Sequence, residues 1–328
     1  MSMLQYYFED MHTEDGKKRD NASLFENKKI LQAGEQYLAH MGKYPVINLT
    51  FKDAKQPDFE LAYDAIRRQV ANEFLRHKFI LQDDRLVEEK EEYLNIMRRK
   101  ADRGSYNQSI TFLSRCLEKY YERKVIILID EYDVALENAF TEKFYNEMIG
   151  FIRTLFESSL KTNTSLEFAV ITGCLRVSKE SIFTGLNNLD IISILDWNYG
   201  EHFGFTDKEV QRLCEDFGVE NKYDLIKDWY NGYVFGNANV YNPWSVIRYV
   251  KALKSHEEEI PGSYWANTSS NHIVRSLLEM ADDSVKNELE SLIDGGTVEK
   301  PIHEDITYEE VYESMDNLWN FMFLASEL

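Results

Sequence analysis

The sequence predicts an α/β fold, a mainly parallel sheet interleaved with helices and followed by a mostly helical domain. Three observations carry this. Apolar runs of strand length recur between amphipathic stretches with helical spacing. These runs are rich in β-branched residues and bounded by polar turns. Beyond about residue 203 the runs stop and capped helices follow one another.

Met3, Leu4, Tyr7 and Phe8 recur at helical spacing, so a helix is expected from the first residues. Tyr44 to Phe51 (YPVINLTF) reads as a buried strand. Asp58 then caps a helix whose apolar face runs Phe59, Ala62, Ile66, Val70, Phe74. Residues 84 to 104 are charge-rich and predict an exposed helical stretch, with a further helix near 108 to 121. The remaining strands are expected at Val125 to Ile129, Phe168 to Thr172 and Ile191 to Leu195. In the helical part, Thr206 with Glu209 forms a capping box, Asn242 with Pro243 an N-cap and first helical residue, and Thr307 with Glu310 a second box.

Composition narrows the function. With 328 residues and 44% hydrophobic content the chain can bury a core and split into two domains, and only 15 Gly and 5 Pro argue against disorder. A net charge of -20 opposes phosphate-driven attraction, which argues against nucleic acid as a partner. The basic cluster Arg67, Arg68, Arg98, Arg99 and Lys100 reads as a solvated helical face. Cys116, Cys174 and Cys214 form no C-x-x-C pair, so reduced thiols and a cytoplasmic location are expected. No leader pattern opens the chain, and no apolar run approaches the ~20 residues of a membrane span. The histidines form no H-x-H or H-E-x-x-H pair. Trp229, Tyr230, Tyr233, Trp244 and Trp265 are expected to pack core and turns of the helical part.

The chemistry concentrates in Lys124 to Asp133 (KVIILIDEYD), an apolar strand that ends on adjacent carboxylates. That is the Walker B pattern. A buried parallel strand delivers its last residues to the carboxyl edge of the sheet, where open α/β folds bind ligands. Asp130 would stand beside Mg²⁺ and Glu131 would orient the attacking water. The alternative is a buried strand that simply ends in solvated acids. Thr172 and Arg176 follow the third strand and are candidate contacts to a γ-phosphate; the alternatives are ordinary turn chemistry and a surface ion pair. No G-x-x-x-x-G-K-[ST] loop accompanies them, because Gly16-Lys17 and Gly42-Lys43 are followed by Lys and Tyr.

These residues resemble a bacterial AAA-ATPase-like family whose members often carry a PD-(D/E)XK nuclease-like domain at the C-terminus. The resemblance runs through VIILIDEYD, ITGCLRVSKESIFTGLNNL, FGFTDKEV, WYNGYVFG, VYNPWSV, YWANTSSN and DNLWNF. It implies a P-loop NTPase-like parallel core over residues 1–202 and a helical domain over 203–328. It also implies ATP and Mg²⁺ as cofactors, with Asp130 as metal ligand and Thr172 and Arg176 on the nucleotide. Family members place a strand and a Gly-Lys-Ser/Thr loop ahead of the segment similar to SMLQYYFED, where this chain starts. The expectation is therefore a core lacking its first strand and phosphate loop, without ATPase activity, acting as a scaffold or regulatory module with a protein partner or a second copy. The rival expectation is a piece of an active ATPase with its phosphate loop upstream and a nuclease-like domain downstream.

Overall fold

The computed structural model describes residues 1–173, 189–264, 278–303, 310 and 314–324. They fall into two compact units, residues 1–187 with 303–310 and residues 188–302 with 311–328.

The first unit is built on strands β1 (Val46–Thr50), β2 (Val125–Asp130) and β3 (Leu166–Ile171), all parallel and in that spatial order. The helix at the start is α1 (Ser2–Phe8). Helix α2 (Phe59–Arg76) follows β1, and α3 (Lys90–Met97) and α4 (Ser109–Tyr121) precede β2. Helices α5 (Val134–Thr141) and α6 (Tyr145–Phe156) connect β2 to β3.

Central position explains the composition of β2: Val125 through Ile129 are completely excluded from solvent, as a parallel strand covered on both faces requires. Met1, Leu4, Phe8 and Val170 pack against Tyr44, Val46, Ile126 and Leu128, so the α1 segment covers one face. Helix α2 begins where Asp58 Oδ1 accepts the Leu61 amide at 2.9 Å. Its Ala62, Ile66, Val70 and Phe74 are buried, the larger ones contributing about 1.5–3 kcal/mol each.

The stretch 84–104 is not uniformly exposed. Tyr93 and Ile96 of α3 are fully buried, and the Tyr93 hydroxyl donates to Phe74 O at 2.7 Å. Nor is the basic cluster only a solvated face. The Arg67 guanidinium lies 4.9 Å from the Tyr106 ring centroid and donates to Arg99 O at 2.8 Å, while Arg99 pairs with Asp64 at 3.2 Å.

Side chains finish the outer edge of β1. The outward Val46 carbonyl accepts from Arg76 at 2.6 Å and from His77 Nε2 at 3.1 Å, and the outward Asn48 amide donates to Glu73 Oε1 at 2.8 Å. Arg76 is itself held by Glu73 at 2.6 Å and by Glu9. The end of α2 thus supplies the hydrogen bonds a further strand would supply, which closes this edge to pairing. Among the described residues β3 forms the opposite edge.

The second unit contains α7 (Asp207–Phe217), α8 (Tyr223–Tyr230), α9 (Pro243–Ser255), α10 (Asp283–Ile293) and α11 (Met315–Leu324). Both sides of the Thr206–Glu209 capping box are made, and Asn242 caps α9 by accepting from the Ser245 amide at 3.0 Å. Thr307 of the other expected box lies outside the described residues. Val210, Cys214, Ile226, Tyr241, Val246, Tyr249 and Val250 form the core of this unit.

Two expectations are corrected here. No strand forms at Ile191–Leu195. The chain turns there instead: the Asp196 amide donates to Ser193 O at 3.1 Å, the Ser193 amide to Asp196 Oδ2 at 2.6 Å, and Ile191, Ile192 and Leu195 are exposed. Strand β4 (Asn231–Phe235) pairs instead with β5 (Ala238–Tyr241) in an antiparallel hairpin that the helical expectation omitted. Its tip, Gly236, has φ +56° and donates its amide to Ile194 O at 2.7 Å. A Cβ there would stand 2.4 Å from Asp196 O, so glycine is required on both counts. Of the aromatic group, Tyr230 is buried, whereas Trp229 and Trp244 are exposed. Trp265 lies outside the described residues.

Candidate functional site

Parallel register brings the predicted acidic pair to the carboxyl edge of the sheet. Thr50 of β1 stands opposite Asp130, and Ile129 opposite Ile171, so Asp130 and Thr172 lie level across adjacent strands. The Thr172 hydroxyl donates to Asp130 Oδ1. Around this contact the backbone is fixed from both sides. Phe51 N donates to Asp130 O at 3.0 Å, Thr172 N to Ile129 O at 2.9 Å, and Tyr132 N to Thr172 O at 3.2 Å.

Past Asp130 the chain leaves the sheet abruptly. Glu131 has φ +55°, a left-handed conformation that is uncommon for a residue with a side chain and costs about 1 kcal/mol or more. That turn allows Tyr132 to be buried against Phe156, with ring centroids 6.3 Å apart, and starts α5 at once. Asp130 and Glu131 both remain partly accessible, while Asp133 is buried.

Two residues tighten the site beyond the sequence expectation. Asp133 contributes another carboxylate within four residues of Asp130, and Gly173 lets the strands close on it. A Cβ at Gly173 would lie 2.7 Å from both Asp133 Oδ1 and Tyr132 Cε1, so the residue after Thr172 must be glycine for this packing. The signal for Asp133 is visible in DEYD. That for Gly173 depends on a cross-strand approach that strand pattern does not reveal.

Of the predicted site residues, Asp130, Glu131 and Thr172 are therefore together, and Arg176 lies outside the described residues. Gly16 and Gly42, with φ +81° and +64°, sit in connecting turns. Gly16 N bonds Thr13 O at 2.8 Å, and Gly42 N bonds Tyr7 O at 2.8 Å. Hard carboxylate oxygens suit a hard divalent cation, which takes one or two carboxylates and fills its remaining positions with water or phosphate oxygens. Among the described residues, no group of three or more His, Cys, Asp or Glu side chains is arranged to hold a metal by itself. No helix of the described residues is long and apolar enough to cross a membrane.

A family model described as "Predicted AAA-ATPase" matches residues 1–183, which take in all three strands and the acidic pair. The chain belongs to this AAA-ATPase-like family. It is also similar to an "Uncharacterized protein in vnfD 5'region" of Azotobacter chroococcum mcd 1, at 32% identity over 156 residues. That alignment covers 47% of this chain and 29% of the relative, so the chain spans less than a third of the relative's length. No solved structure matches.

Proposed function

We propose that this chain is an AAA-ATPase-like module that retains the metal and water side of a nucleotide site without the means to grip a triphosphate. It acts as a scaffold or regulatory module rather than as a turning-over ATPase. One observation carries the reading: Asp130, Glu131 and Thr172 meet at the carboxyl ends of adjacent parallel strands, with the Thr172 hydroxyl on Asp130. Asp130 would hold Mg²⁺, Thr172 would orient that carboxylate, and Glu131 would orient water; Mg²⁺, when bound, supplies charge neutralisation. What limits the site is the sequence. Its 328 residues contain no G-x-x-x-x-G-K-[ST], the loop whose amides and lysine form the main phosphate contacts.

Steady-state ATP hydrolysis by the 328-residue chain tests this. The expected result is no turnover above that of Glu131→Gln. Hydrolysis by the wild type that Glu131→Gln abolishes would overturn the reading in favour of a competent ATPase.

A further inference from the structure

The two edges of the parallel sheet are built differently. At β1 the outward backbone groups are taken up by Arg76, His77 and Glu73. At β3 the Thr172 amide bonds inward to Ile129 O at 2.9 Å, and the Thr172 carbonyl accepts from Tyr132 N at 3.2 Å. Alternation along the strand therefore turns the Ala169 and Ile171 backbone groups outward. Among the described residues no hydrogen bond reaches those outward groups.

The side chains of β3 are those of a strand paired on both sides. Its sequence LEFAVI holds one charged residue, Glu167, in a chain that is 29% charged. Near-continuous apolar runs belong to parallel strands with neighbours on each side. Yet Phe168 is 37% exposed and Ala169, Val170 and Ile171 are only half-buried, whereas Val125 to Ile129 of β2 are excluded from solvent. The register irregularity lies at the start of β3, opposite Val125 and Ile126, and leaves Phe168 to Ile171 regular. A regular, apolar edge without proline or an inward charge is a template for another strand.

We propose that β3 is the contact of a homodimer, in which two copies pair their β3 strands antiparallel about a two-fold axis at Ala169. The result is one continuous sheet through both copies. In that register the outward groups of Ala169 face each other across the axis, as a hydrogen-bonded pair requires. On the face that carries α1, Phe168 of each copy then stands opposite Val170 of the other. Aromatic against β-branched is a favourable cross-strand pair, and symmetry makes it twice. Phe8 already packs edge-on against Phe168, with ring centroids 5.4 Å apart, so α1 flanks the joint. The Glu167 carboxylates are carried about 13 Å apart along the strands, beyond the screening length of about 8 Å at physiological salt. Two chains of net charge -20 approach with least repulsion along such a weakly charged strip. The sealed β1 edge ends the assembly at two copies, where a second open edge would continue it into a fibre. This contact does not depend on the ATPase reading.

Sedimentation of the 328-residue chain from about 1 to 100 µM tests the proposal, with a reversible monomer–dimer equilibrium as the expected result. Ala169→Pro removes an outward amide from each copy without touching the ladder to β2. It should weaken dimerisation about tenfold or more and keep the wild-type circular dichroism spectrum. Ala169→Lys and Ala169→Glu each set like charges across the axis and should sediment as monomers, while an equimolar mixture of the two should restore the dimer. A wild type that stays monomeric throughout this range, or that grows beyond a dimer, would overturn the proposal. So would wild-type dimerisation by Ala169→Pro, or a Lys/Glu mixture that associates no better than either variant alone.

Discussion

Replacing Glu73 by Gln should cost the fold about 3 kcal/mol near neutral pH and flatten its acid dependence. Burial alone would raise this carboxyl's pKa. The Arg76 charge, with hydrogen bonds from His77 and Arg76, outweighs burial and holds it at about 2, against an ordinary 4.5. Because the folded value lies below the unfolded one, the carboxylate's contribution is complete above pH 4.5 and lost as pH falls towards about 2. The gap is worth about 3 kcal/mol at neutrality and less than half of that near about pH 3. The variant also removes a charged acceptor from the Asn48 amide and from Arg76, the groups that close the outer edge of β1. Urea unfolding of both proteins, near neutrality and near about pH 3, measures the effect. Their stabilities should differ strongly at the higher pH and converge at the lower. Equal midpoints at neutrality, or two pH profiles that stay parallel, would refute the assignment of Glu73 as the carboxylate that seals this edge.

Gly173→Ala should destabilise the first unit by about 1–3 kcal/mol, because the added methyl overlaps Asp133 and Tyr132; an unchanged melting temperature would contradict this packing. Glu131→Gly should stabilise the fold by about 1 kcal/mol by relieving the left-handed conformation at φ +55°, and a loss of stability in urea unfolding would show that the side chain contributes more than the backbone costs. The division between the two units after residue 187 should yield a stable proteolytic fragment ending near it. Cleavage confined to 210–320 would count against it.

The parts of the fold legible in the sequence are those fixed by local chemistry. Asp58, Thr206 and Asn242 announce their helices because a capping side chain needs only the next three residues. The VIILI run announces β2 because a strand buried on both faces tolerates little else. Ile191–Leu195 misleads for the complementary reason: a short apolar run does not reveal whether a neighbouring strand pairs with it, and Ser193 and Asp196 close a turn within it. The β4–β5 hairpin carried a signal, Gly236-Asn237 between the apolar runs 233–235 and 240–241, which the helical pattern around it obscured. In the site, Asp130, Glu131 and Thr172 were legible from strand ends. The left-handed turn at Glu131 and the close approach at Gly173 arise from tertiary packing, and no local pattern encodes them.

Asp130 and Glu131 without a phosphate loop should not hold a nucleotide. Equilibrium binding of Mg-ATP to the wild type and to Asp130→Asn tests this most directly. The expected result is no magnesium-dependent affinity that distinguishes the two proteins. A saturable, magnesium-dependent affinity that Asp130→Asn abolishes would contradict it.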